Sequence, residues 1–399
     1  MKKNEFVPDV PDVHDAPYLG DEPNDDFSND QYLPLREEEP DDGVVDVSKE
    51  EIADEYKKKQ ISVDTESKFD EAPESALEIH YNEKISLEFI VLGYPACGES
   101  IIFILKSDDT VEYVGVVDSY RTCKKHNLEH IISTVARNGL NFLCWTHAHI
   151  DHMKGMENIL ANHLQNDASI VLPRYPDNYK DLCPNQRTRA LYTSLYSIID
   201  SKLGAGYDVN RISNPTDILH FNLCSNTSEN IYPCSICAIA PHDHLLLRKE
   251  LRNSKNIANE YSVALRINIC NEYFILAGDV EDPTWDHIHN KHFKICNVRY
   301  LKIPHHASDS SSDLPDLMAR MNNQKCIAVS TSNRRHGLPC RQVLKSYQKF
   351  CKEVYTTSSL SKDVKNKSGY GIVKTVFTID PNCDITDDTK PEGDAEQFQ

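Results

Sequence analysis

Between residues 146 and 152 the chain reads Thr-His-Ala-His-Ile-Asp-His, which places three imidazoles and one carboxylate within six residues. Side chains alternate along an extended segment, so His147 and His149 point to the same side. The turn that follows brings Asp151 and His152 back toward that side, and one short loop then serves two metal positions. Imidazole with carboxylate and no thiolate suits zinc, manganese or iron, and is the donor set of a hydrolytic rather than a structural site. The competing reading is a histidine-rich surface loop. Its context argues otherwise, because Leu140 to Trp145 predicts a buried strand before the motif and Met153 to Leu164 a helix after it.

A His-x-His-x-Asp-His motif closing a strand resembles the defining motif of the metallo-β-lactamase superfamily. That resemblance implies an earlier aspartate that steadies the loop, and Val114 to Tyr120 supplies an apolar strand ending at Asp118. It implies a bridging carboxylate after a later strand, matched by Tyr273-Phe274-Ile275-Leu276-Ala277-Gly278-Asp279, and a further ligand after the next, where Tyr300 to Ser308 carries His305 and His306. Within the superfamily, Gly93 to Leu105 resembles the opening Gly-x-Gly-Asp-Ser strand of the hydrolase domain in ComEC-type competence proteins. Lys302 to Ser308 is similar to that group's Lys-Val-x-His-His-Gly-Ser, and Ala328 to Pro339 with Val354 to Thr357 resembles its closing segment. The likeness covers Ile85 to Val376. Cys97 and Glu99 stand where the group has Gly and Asp, Ala307 where it has Gly after the paired histidines, and His336-Gly337-Leu338-Pro339 is displaced from Gly-His-Pro.

The resemblance implies an α/β fold, the αββα sandwich of two facing mixed β-sheets with outer helices, and metals at one edge between the sheets. By the same carry-over, His147 and His149 hold the first ion, Asp151 and His152 the second, Asp279 bridges, and His305 completes the second site. The third histidine of the first site follows a strand and a proline, which gives His242 in Ile236 to His244, with His244 as the alternative. Two divalent ions, zinc first and manganese or iron also suited, would activate a bridging hydroxide. Asp151 then helps orient it, and His306 or His336 donates a proton to the leaving group. His287, His289 and His292, on a polar helical stretch, are read as solvent-exposed.

The expected reaction is phosphodiester hydrolysis on nucleic acid or a nucleotide. Ester, thioester or lactone hydrolysis is the alternative chemistry. A subunit of a bacterial antiviral defence system whose activity waits on a protein partner is the alternative role. Arg187, Arg189, Arg248, Lys249 and Arg252 are candidates for a cationic rim that receives an anionic substrate.

The rest of the chain frames this site. At 399 residues and 39% hydrophobic content it can bury one large domain and still carry tails. Residues 1 to 80 hold 25 acidic against 8 basic side chains, so they account for nearly all of the net charge of −19. This leader is expected to be a disordered, solvated spacer, with docking of a partner or occupation of a basic substrate groove as the alternative reading; Glu50 to Gln60 could form a short helix, on which nothing is built. The hydrolase domain is expected over 81–379, with a helical insertion at 174–222 in which Tyr192 to Leu203 is amphipathic, and 380–399 is expected to be an acidic disordered tail. The absence of a long apolar run excludes a membrane helix, and Met1 to Glu5 lacks an apolar signal core, so a cytoplasmic location is expected. Thirteen cysteines without framework spacing fit reduced thiols. Cys234 and Cys237 form the one CxxC, read as core.

Overall fold

The computed structural model describes residues 77–121, 128–176, 179, 183, 185–250, 258–291, 295–321, 323–360 and 368–399, without the side chains of 247–250. The leader to residue 76, its expected helix, Arg252 and His292 lie outside these residues.

The strands, in chain order, are β1 (Leu77–Tyr81), β2 (Ile85–Gly93), β3 (Glu99–Ser107), β4 (Thr110–Val117), β5 (Leu140–Cys144), β6 (Leu164–Pro173), β7 (Asp208–Ile212), β8 (Thr216–Ser225), β9 (Ile231–Ala240), β10 (Ala264–Ile269), β11 (Glu272–Leu276), β12 (Val298–Lys302), β13 (Ile327–Ser330), β14 (Glu353–Thr356), β15 (Gly371–Ile379), β16 (Ile385–Gly393) and β17 (Glu396–Gln397). The helices are α1 (Leu128–Val135), α2 (Ile150–Met153), α3 (Met156–Asn162), α4 (Gln186–Gly204), α5 (Asp243–Glu250), α6 (Asp282–Lys291), α7 (Leu314–Ala319) and α8 (Arg341–Gln348).

Two mixed sheets result, with orders β1-β8-β9-β10-β11-β12-β13-β14-β17 and β16-β15-β2-β3-β4-β5-β6-β7. Strands covered on both faces need apolar side chains at successive positions rather than at alternate ones, and β2 from Phe89 to Leu92 and β5 apart from Asn141 have that composition. Along β2, Ile85, Leu87, Phe89 and Val91 enter the core between the sheets, while Ile90 and Leu92 enter the layer beneath helices. Phe89 stacks on Tyr300 of the opposite sheet at 4.3 Å between ring centroids, and Phe274 and Phe377 close around them. Helices α1, α3 and α4 pack on the outer face of one sheet through Leu128, Ile132, Ile159, Leu195 and Ile199. Helices α6, α7 and α8 pack on the other through Trp285, Leu314, Leu344 and Tyr347. The architecture is therefore α/β, with two facing mixed sheets and helices outside.

Several local expectations change. The chain pairs from Leu77, where β1 runs parallel to β8, so the ordered unit begins before residue 81. The stretch 380–399 is not a free tail. Strand β16 pairs with β15 from Ile379↔Ile385 to Gly371↔Gly393, β17 pairs with β14, and Phe398 is buried. Its acidic composition suits the solvent side of an edge strand, where charge discourages further strand pairing. Among the described residues of 174–222 the long helix is α4, while β7 joins one sheet and β8 the other. The helix after the motif breaks at Gly155, whose φ of 94° ends α2 and starts α3. Cys270 and Cys383 form a disulfide between turns 113 residues apart, against the expectation of thiols throughout. Among the described residues no helix is long and apolar enough to cross a membrane.

Candidate metal centre

Strands of both sheets end at one edge. β5 delivers Thr146 and the histidine loop, β11 delivers Gly278 and Asp279, and β12 leads into His305 and His306. Backbone bonds join these loops: Val263 N–H to the Thr146 carbonyl at 3.0 Å and His305 N–H to the Gly278 carbonyl at 3.1 Å. Asp279 is the hub. Its Oδ2 lies 3.6 Å from His147 Nε2, 3.5 Å from His152 Nε2 and 3.8 Å from His306 Nε2. His149 Nδ1 is 3.0 Å from His147 Nε2, and Asp151 Oδ2 is 3.5 Å from His306 Nε2. An ion about 2.1 Å from tetrahedral ligands spaces neighbouring ligand atoms by roughly 3.4 Å, and these separations fall around that value.

The imidazoles are held from behind. Asp118, in the left-handed region at φ 60°, accepts from Thr146 N–H at 2.8 Å, Thr146 Oγ1 at 2.7 Å and His152 Nδ1 at 2.7 Å. Because the Thr146 hydroxyl donates to Asp118, it accepts from His147 Nδ1 at 3.0 Å. Both imidazoles are thereby locked with Nε2 free to face Asp279, which is how a supporting carboxylate fixes a metal-binding tautomer. Gly278 is needed at φ 54°, since a Cβ there would stand 2.5 Å from Ser262 Oγ, the group that accepts from Asp279 N–H.

His306 has its own support, which sequence reasoning missed. Its Nδ1 lies 2.7 Å from Thr331 Oγ1; that hydroxyl donates to Glu99 Oε2 at 2.5 Å, and Lys302 Nζ donates to the same oxygen at 2.7 Å. Glu99 and Lys302 are fully buried, and a fully buried carboxylate and ammonium persist together because each compensates the other. The available signal was a Glu in the place of the family's Asp, opposite a Lys in the double-histidine motif. Glu99 lies 3.5 Å from His306 Nδ1 and 3.9 Å from His152 Nδ1, and its Oε1 is buried without a hydrogen-bond partner. Thr331→Val keeps the shape and removes the relay hydroxyl. We expect metal affinity to fall about 10- to 100-fold in a folded protein, read by zinc titration against a chelator.

Electrostatics point the same way. Burial works against the charge of Asp279, yet His152, His306, His147 and His305 hold its carboxyl well below the usual range. Burial likewise opposes Asp151, which His152 and His306 keep ionised, and Glu99, which Lys302 keeps ionised. Burial pushes His147 and His149 down, leaving neutral imidazoles ready to bind metal. Burial would also lower His152, but Asp279, Asp118 and Glu99 hold it well above its ordinary value. His152 Nε2, His306 Nε2 and Asp279 Oδ1 are buried with no hydrogen-bond partner, a costly condition that an ion relieves. The donor set fits two divalent ions: His147, His149 and Asp279 form one group and Glu99, His152, Asp279 and His306 the other, with Asp151 Oδ2 3.5 Å from His306 Nε2 beside the second.

No protein-family model matches the chain. Over 98 residues, 25% of the chain, it is 28% identical to the uncharacterized protein YcaI of Escherichia coli (strain K12), and the match spans 13% of that protein. The functional reading therefore rests on the geometry.

That geometry moves several expected residues. His306, 1% exposed, takes the inward position, while His305 stands at the rim. His305 Nε2 is 4.0 Å from Asp279 Oδ2, and its Nδ1 is 2.8 Å from Ser310 Oγ and 3.5 Å from Glu281. The cause is the backbone: His305, His306 and Ala307 all have positive φ, and the resulting turn swings the second imidazole inward. His242 and His244 do not join His147 and His149; they gather with His287, which is therefore not a free surface residue, and His289 is buried. His336 is exposed on a short turn, and that loop instead sends Asn333 Nδ2 to Asp151 Oδ2 at 2.9 Å. Cys234 and Cys237 face opposite sides of β9, one in each core, so they cannot grip one ion. Of the expected cationic rim, Arg187 lines a surface groove with Lys154, Glu157 and Leu191 that contains none of the inward-facing histidines; the side chains of Arg248 and Lys249 lie outside the described residues.

Proposed function

We propose that the protein is a metal-dependent hydrolase with the metallo-β-lactamase fold, cleaving phosphodiester bonds in nucleic acid or a nucleotide. The observation that carries the reading is the convergence on Asp279 of the buried Nε2 atoms of His152 and His306, which have no hydrogen-bond partner. The facing sheets, the outer helices and the His-x-His-x-Asp-His loop at their shared edge support the fold.

Two divalent ions held there would acidify water toward neutral pH and stabilise negative charge at the attacked centre. The protein's own share is positioning and proton management. His147 and His149 would hold one ion and His152 and His306, with Asp151 beside them, the other, and Asp279 stands within reach of both groups. Asn333 fixes the Asp151 carboxylate, and Asp118 and Thr331 fix the imidazoles. His305, at the rim and hydrogen-bonded through Nδ1, is the group placed to pass a proton to a departing alkoxide.

The reading is tested by elemental analysis together with cleavage of a generic phosphodiester ester and of single- and double-stranded DNA. Two metals per chain and cleavage abolished by a chelator are expected. Two metals with hydrolysis of carboxylic esters or lactones alone would reassign the substrate, and a purified chain that takes up no metal would overturn the proposal.

A further inference from the structure

Apart from the groups around Asp279, the described residues bring three more imidazoles together. His242 follows β9, His244 lies in the first turn of α5, and His287 sits on α6. The His287 ring centroid is 4.6 Å from that of His242 and 4.1 Å from that of His244, and the latter two are 6.0 Å apart. One nitrogen of each ring lies within 4.8 Å of the other two, and none of the three residues belongs to a group containing Asp279. His242 is buried and the other two are half-buried, so the cluster has an inner wall and a side open to solvent.

Each imidazole is carried on an anchored element. Asp243 N–H donates to Asn214 Oδ1 at 3.1 Å while Asn214 Nδ2 donates to Asp243 Oδ2 at 2.5 Å, and the His242 carbonyl accepts from Leu245 and Leu246. Trp285 and Ile288, both fully buried, fix α6 on either side of His287. Like charges at that range oppose one another, which disfavours three imidazolium rings side by side. As neutral rings they form a three-histidine donor set with room for a fourth ligand from solvent, an arrangement that zinc favours.

We propose that His242, His244 and His287 form a third zinc site, separate from the centre around Asp279, that fastens α5 to α6. Its existence does not depend on the hydrolase reading. The test uses the untagged full chain, with zinc counted by elemental analysis after gel filtration in wild type, in His244→Ala/His287→Ala and in His147→Ala/His149→Ala. The first variant should carry one zinc fewer than wild type. The second should keep the zinc that the first loses, so failure of this site and failure of the Asp279 centre are read separately.

Zinc added to chelator-stripped His147→Ala/His149→Ala should raise its melting temperature saturably at micromolar concentration. Adding His244→Ala and His287→Ala to it should remove the part of the rise that this site supplies and leave only what the group around His152 and His306 contributes. A His287→Gln variant, which keeps polarity and much of the volume, should lose the zinc as the alanine does, which separates the ligand from its packing. Unchanged zinc content in His244→Ala/His287→Ala, or uptake only at millimolar zinc, overturns the site.

Discussion

Asp279→Ala should empty both positions of the centre at once and take hydrolysis to background. Its Oδ2 is the one carboxylate oxygen within 4 Å of His147, His152 and His306 together, and its Oδ1 is buried without a partner. Without it, one group keeps two imidazoles, and the other keeps Asp151 with two imidazoles but no shared anion. Loss of a single stabilising donor costs about 10²- to 10³-fold in turnover; loss of the ligand common to two ions should exceed that. Metal content and turnover should fall together, while circular dichroism shows a folded chain. Asp279→Asn, which preserves shape and removes charge, should act in the same direction. Two retained metals in Asp279→Ala would show that the carboxylate does not join the sites.

The parts of this centre that the sequence displays are those built from neighbours along the chain. The loop from His147 to His152 needs only alternation and a turn, so its inward aim follows from the residue order. Asp118 and Asp279 are legible because each closes an apolar strand. What the order does not encode is the direction of a turn. His305 and His306 are adjacent, and three successive left-handed residues decide which one enters. His242 stands at the end of the expected strand, yet its companions come from the next helix and from α6, a relation that only tertiary packing creates. Glu99 reads as a departure from a motif until Lys302, on the facing sheet, is seen to neutralise it. For the acidic stretch after residue 380, composition outweighed the alternation that lets β16 lay one face on the sheet. The Cys270–Cys383 bond spans 113 residues and has no local signature.

The turn at His305 and His306 yields the sharpest contrast between neighbouring substitutions. His306→Ala should remove the second ion: its Nε2 faces Asp151 at 3.5 Å and Asp279 at 3.8 Å, and the deletion leaves Thr331 and Glu99 with nothing to orient. Metal content should drop by one per chain, and turnover should fall with it. His305→Ala should keep both ions, because that ring is engaged with Ser310, Glu281 and Asn259 at the rim. If His305 passes the proton, its loss should lower turnover by about 10²- to 10⁴-fold and flatten the limb of the pH profile that reports the protonated acid. A leaving group that needs no protonation, such as p-nitrophenolate, should restore most of the rate to His305→Ala and none to His306→Ala. The reverse pattern, with the ion lost from His305→Ala and retained in His306→Ala, would return the ligand to the rim residue and refute the inward assignment of His306.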